Sequence, residues 1–167
     1  AGNTQTYTYN YNGLLTSVTN LLGGISTFNY DSNGNLSSVQ DAEKRKASYT
    51  YDKLDRLLTV TEGEILTAEY KYDSVGNLVS ETNGNGKTTT YTYDLLGNMT
   101  STTDPLGHVK KFTYNVNAQL ESIVNPDNST IKYDYDKLNQ LIEKSYDDDD
   151  VQAMYGYDAD GNRISMD

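Results

Sequence analysis

The chain has 167 residues, 35% of them hydrophobic, with 16 tyrosines, 2 phenylalanines, no tryptophan and no cysteine; this excludes disulfides and thiolate catalysis and argues against a thick aliphatic core. A net charge of −11 and a pI near 4.4 set it against nucleic acid, which demands clustered Lys and Arg, and against an anionic membrane surface. No apolar run approaches the ~20 residues of a membrane span, so membrane insertion is not expected.

Read from its start, the chain writes one unit eight times. The first copy has Tyr7, Tyr9, Asn10 and Leu15, the second Phe28, Tyr30, Asp31, Gly34 and Leu36. The third has Tyr49, Tyr51, Asp52 and Leu57, with Asp55 where the second has glycine. The fourth has Tyr70, Tyr72, Asp73, Gly76 and Leu78, and the fifth Tyr91, Tyr93, Asp94, Gly97 and Met99. The sixth, Phe112, Tyr114, Asn115 and Leu120, puts Ala118 at the glycine place; the seventh, Tyr133, Tyr135, Asp136 and Leu141, puts Asn139 there. The eighth has Tyr155, Tyr157, Asp158 and Gly161, with Arg163 at the leucine place and Ile164 after it. The anchor tyrosines recur every 21 residues, except that the last interval is 22.

Aromatics at i and i+2 lie on one face of a strand, because side chains alternate. Flanks such as "KTTTYTYD" are rich in strand formers. The Asp or Asn after the anchor can bond the backbone ahead of it, and glycine or Asn tolerates the positive φ that closes a turn. Ala118 is the awkward copy, since alanine disfavours that conformation. A second strand starts at the leucine, and a more variable second turn follows, as in "NGNGK", "DPLGH" and "NPDNS". Each unit is thus predicted to be a β-hairpin that runs into the next. The stretch "DAEKRKA" reads as a charged hairpin loop rather than a helix. About sixteen strands follow in one antiparallel meander, which strand twist would curl. The fold class expected is all-β, a single repeat array over residues 1–167.

A Tyr-Asp pair followed by x-x-Gly-Asn-Leu at this period resembles the YD repeats of the Rhs family, which includes bacterial wall-associated toxins, insecticidal toxin complexes and the animal teneurins. The resemblance covers all eight units and rests on the phase of four positions. It implies a segment of a spiral β-shell, cut from a larger secreted or cell-surface protein, which in bacterial members encloses a toxin. The partners it implies are the rest of the parent chain and an enclosed toxin cargo. Family members use an Asp-Pro-x-Gly-Leu motif for self-cleavage. Asp104-Pro105-Leu106-Gly107 is followed by His108 and belongs to a turn between repeats, so cleavage is not carried over to it.

No cofactor and no enzymatic activity are expected. His108, the one histidine, sits in a repeat turn with no serine or carboxylate at a recognisable catalytic spacing. Asp158, Asp160 and Asn162 have the oxygen spacing of a calcium loop but not its closing Glu. The acidic run Asp147–Asp150 reads as a loop insertion. The structural repeat residues are therefore Tyr30, Asp31, Gly34, Tyr51, Asp52, Tyr72, Asp73, Gly76, Tyr93, Asp94, Gly97, Tyr114, Tyr135, Asp136, Tyr157, Asp158 and Gly161. The alternative to a scaffold is a carbohydrate- or surface-binding module, with Tyr70, Tyr72, Tyr91 and Tyr93 as its flat aromatic contacts. Self-association is also expected, because a single sheet buries little on either face.

Overall fold

The computed structural model describes residues 4–147 and 150–166, with residues 150–152 by backbone alone. Among the described residues all sixteen elements are strands, and the protein is all-β. It forms two compact units, Ala1–Thr88 and Thr89–Asp167. The first contains β1 (Thr6–Tyr9), β2 (Leu15–Thr19), β3 (Ile25–Tyr30), β4 (Leu36–Gln40), β5 (Lys46–Tyr51), β6 (Leu57–Glu62), β7 (Ile65–Tyr72) and β8 (Leu78–Asn83). Each pairs antiparallel with the next. The second follows the same plan, with β9 (Thr88–Tyr93), β10 (Met99–Thr103), β11 (Val109–Tyr114), β12 (Leu120–Val124), β13 (Thr130–Tyr135), β14 (Leu141–Tyr146), β15 (Asp150–Tyr157) and β16 (Arg163–Met166). The meander of hairpins predicted from the repeat is the architecture found in each unit. Of the acidic run, Asp148 and Asp149 lie outside the described residues.

The register separates two faces. In the third repeat Tyr51 lies opposite Leu57 and Tyr49 opposite Val60, which collects ring and aliphatic side chains on one side. Thr50 faces Thr59 on the other. Between those pairs the count slips by one, so Leu58 is an extra residue, a β-bulge. All eight tyrosine hairpins carry this slip at the same step. In the last, Tyr157 pairs with Arg163 and Gly156 with Ser165. Arg163 therefore keeps the leucine place in the ladder, and Ile164 is the bulged residue. The arginine lies over the Tyr155 ring, 5.7 Å from its centroid, so its stem and charge cover an aromatic face where leucine would have packed.

Little of this is deeply buried. Ile123, 9% exposed, is the one buried apolar residue among those described, and no described side chain is fully enclosed. The ring face is a layer of half-buried side chains, as the low aliphatic content requires. Ser38 and Ser145 are also buried, on strands β4 and β14. Ser38 Oγ is satisfied by Asn29 Nδ2 at 3.0 Å.

Candidate functional site

The repeated element with the most polar chemistry is the turn after the anchor tyrosine. In the second repeat Asp31 N donates to Asn35 O at 2.9 Å, and Gly34 N donates to Asp31 O at 3.2 Å. The Asp31 carboxylate closes the loop from inside, its Oδ1 accepting from Asn33 N and Asn35 N at 2.9 Å each. Asp73 takes one more: Val75 N at 3.0 Å, Gly76 N at 2.8 Å and Asn77 N at 2.9 Å all donate to its Oδ1. The fourth turn residue stands at positive φ, +94° for Gly34, +109° for Gly76 and +85° for Gly97. Without a Cβ, glycine reaches that conformation freely. Asp55 (φ +61°) and Asn139 (+65°) are of the types that tolerate it, whereas Ala118 (+59°) reaches it against steric preference.

The second turns, which look unrelated in sequence, are built alike. Asn20, Asp41, Asn83, Asp104 and Asn125 each donate N–H to the residue four on and accept from the residue three on. Lys44 and Asn128 stand at φ +69° in the left-handed place. The hairpin at Gly63 departs, with Glu62 directly paired to Ile65 across a two-residue turn. Gly63 at φ +62° supplies the positive first torsion such a tight turn uses.

Several of these turns hold their carboxyls below the usual range. The side-chain hydrogen bond from Asn98 is the main force keeping the Asp94 carboxyl below the usual range. Arg56 does the same for Asp52, its Nη2 2.6 Å from Oδ2. At Asp104 the donor is His108 Nδ1, 2.8 Å away. The single histidine thus braces its own turn. Asp158 Oδ1 is occupied by Asp160 N and Asn162 N, and its Oδ2 by Asn162 Nδ2. Among the described residues no cluster of three His, Asp or Glu is placed to hold a metal ion.

The anchor tyrosines act between repeats. Tyr30 OH donates to Leu15 O at 2.9 Å, Tyr51 OH to Leu36 O at 3.0 Å, and Tyr114 OH to Met99 O at 3.0 Å. Tyr135 OH reaches Leu120 O at 2.9 Å and Tyr157 OH reaches Leu141 O at 2.8 Å. Each bond ties one hairpin to the backbone at the leucine place, Met99 in one case, of the hairpin before it. Sequence gave no hint of the acceptor, because it becomes a neighbour only once the ladder is in register.

The four tyrosines considered as carbohydrate contacts are all half-buried. Tyr70 lies opposite Glu81 and Tyr72 opposite Leu78, with the Arg56 guanidinium 4.7 Å from the Tyr72 centroid. Tyr91 faces Thr102 and Tyr93 faces Met99. An open hollow of about 650 Å³ lies elsewhere, over Val39, Ala47 and Tyr49.

The opposite face carries a hydroxyl row that sequence reasoning passed over as mere strand propensity. Thr8 Oγ1 is 2.8 Å from Thr16 Oγ1 and 2.7 Å from Ser17 Oγ, and Thr92 repeats this with Thr100 and Ser101. Thr50 meets Thr59 and Thr113 meets Ser122. The bulge puts two residues beside one, which is how a single threonine touches two hydroxyls. The readable signal was Thr before the anchor with Ser or Thr eight residues after it.

The sequence model of the teneurin YD-shell matches residues 1–166. No curated protein matches the chain. Among solved structures, a complex of TcdB2, TccC3 and Cdc42 aligns over 97% of this chain and 12% of its own, at 17% identity and a TM-score of 0.41. The Tc holotoxin pore of Photorhabdus luminescens with a mutated TccC3 aligns over 98% and 14%, at 14% identity and a TM-score of 0.49. The chain thus spans about one-eighth of the length of these structures' chains.

Proposed function

The chain belongs to the teneurin YD-shell family, and we propose that it serves there as wall: a non-catalytic segment of a larger secreted or cell-surface protein, one array of about eight repeats that helps enclose or present a toxin domain. One observation carries this reading. The hydroxyls of five anchor tyrosines, Tyr30, Tyr51, Tyr114, Tyr135 and Tyr157, and the turn carboxylates of Asp31, Asp73 and Asp94 are spent on bonds within the repeats and between them. The architecture supplies extent rather than a pocket.

The partners proposed are the rest of the parent chain, the enclosed cargo and other sheets of the same kind. Exposed apolar residues at the turn tips support contacts of that sort, among them Tyr11, Leu22, Val75, Leu95 and Val116, all nearly bare. Turn tips are ordinarily polar, and apolar surface held in water favours a partner.

A glycan array probed with the chain tests the reading against the carbohydrate alternative. The wall predicts no reproducible glycan binding. Binding that disappears when Tyr91 and Tyr93 are replaced by Ala, with the strand content of the circular dichroism spectrum retained, would replace it with a lectin-like role.

A further inference from the structure

Four asparagines precede glycine: Asn12, Asn33, Asn83 and Asn85. Glycine has no Cβ to hinder its own backbone nitrogen, so Asn-Gly is the pair most open to cyclisation. The glycine nitrogen attacks the asparagine Cγ and loses its proton, a five-membered succinimide closes, and ammonia leaves. Water then opens the ring at either carbonyl, giving aspartate or isoaspartate. The step needs only water and a carboxamide free to turn its Cγ toward the next nitrogen.

All four asparagines are exposed, yet the structure does not treat them alike. Asn12 and Asn33 occupy the same place in adjacent repeats. In both, the glycine that follows stands at positive φ, +79° for Gly13 and +94° for Gly34, and donates its N–H to the turn's first carbonyl. They differ in their side chains. Asn33 Nδ2 donates to Asp55 Oδ1 at 2.8 Å, a bond to the next repeat's turn. Among the described residues Asn12 is bonded only through its backbone N–H, to Asn10 Oδ1. The same contrast divides the other pair. Asn83 Oδ1 is engaged by Asn85 N at 3.0 Å and Lys87 N at 3.2 Å, whereas among the described residues Asn85 is bonded through its backbone alone.

We propose that Asn12 and Asn85 are the sites of spontaneous deamidation in this chain, and that Asp55, reaching across from the neighbouring turn, shields Asn33 from the same reaction. Deamidation at Asn12 or Asn85 places a new carboxylate on a turn tip, and the isoaspartate product lengthens the turn backbone by one methylene.

Asp55 makes the idea testable, because it occupies the place where most copies have glycine. Asp55→Gly removes the tether, places glycine at a positive φ that it adopts freely, and leaves Asn35 Nδ2 its bond to Asp31 Oδ2 in place of the shared one to Asp55; an unchanged circular dichroism spectrum checks that the fold is kept. The chain is held at 37 °C in mildly alkaline buffer, and conversion at each asparagine is followed by site-resolved peptide mass spectrometry, which reads a gain of about one dalton. In the native chain Asn33 is expected to convert roughly tenfold more slowly than Asn12, the protection that about 1.4 kcal/mol of tethering provides. In Asp55→Gly the two rates should coincide. Chain unfolded in guanidinium should convert Asn12, Asn33 and Asn85 alike, whatever becomes of the variant. Native Asn33 converting as fast as Asn12, or remaining slow in Asp55→Gly, overturns the proposal, as does stability of Asn12 and Asn85 in the folded chain.

Discussion

The phenol of Tyr51 donates to the backbone oxygen of Leu36, fifteen residues earlier, at 3.0 Å. Burial raises the Tyr51 pKa, so the group stays a neutral donor well above physiological pH. Tyr51→Phe keeps the ring and leaves the carbonyl of Leu36 without this partner. We expect a loss of about 1 kcal/mol, read as a lower urea midpoint at an unchanged slope. Tyr9→Phe, on the exposed strand β1, should change little. Equal losses for the two would mean that the bond between hairpins contributes nothing.

Ala118 stands at φ +59°, where its Cβ crowds the backbone. Ala118→Gly should stabilise the second unit by about 1 kcal/mol. Asn139→Gly should gain less, because Asn139 Oδ1 also accepts from Asn117 Nδ2 at 2.9 Å. Paired thermal melts decide it, and an Ala118→Gly protein that melts earlier would show the strain account to be mistaken.

Gly76 and Gly97 hold the same place in neighbouring repeats, at φ +109° and +85°. Substituting valine at either should cost on the order of 1–3 kcal/mol through backbone strain, with similar losses at the two positions. Asp73→Ala and Asp94→Ala should likewise weaken their hairpins to a similar degree. Were one copy to lose a binding activity while its melting point stayed put, that turn would be a site and not part of the wall.

Acid should weaken the fold. Asp94, Asp52 and Asp158 are held below the usual aspartate range by side-chain donors from Asn98, Arg56 and Asn162 respectively. A carboxyl whose pKa is lower folded than unfolded contributes its full stabilisation above the unfolded value, near 3.9, and loses it as pH falls through the folded one. The urea midpoint should therefore be flat from about pH 7 to 5 and drop below about pH 4. Asp94→Asn keeps the turn acceptor, as Asn10 and Asn115 do, and should soften that drop. A midpoint that rises on acidification contradicts the scheme.

Much of this was readable in the residues. The tyrosine phase placed all eight tyrosine hairpins, and the Asx after each anchor marked its turn, because both depend on local geometry that short spacing encodes. Other features depend on register, which no short window contains. Leu58 does not announce itself as a bulge, since it resembles any strand residue until Tyr51 is seen to pair with Leu57 and Thr50 with Thr59. Arg163 and Ile164 are a case in point: hydrophobicity favours the isoleucine for the ladder, yet pairing assigns the arginine. The common build of the second turns was hidden by their varied letters. Lys44 and Asn128 reach a torsion that glycine would mark plainly.

The bulge that recurs in every tyrosine hairpin also bears on how such genes change. Each copy carries its own one-residue slip at the same step, so the tyrosine hairpins repeat in one phase, while the junctions β6–β7 and β14–β15 add a slip of their own. A duplication or deletion of one whole unit by unequal recombination alters the sheet by two strands, ~10 Å of width, and between units with like junctions leaves the register on either side as it was. Losing a single codon inside a strand instead turns the following side chains to the wrong face. Selection on such an array can therefore let its length drift in quanta of one repeat while holding the reading within each quantum fixed.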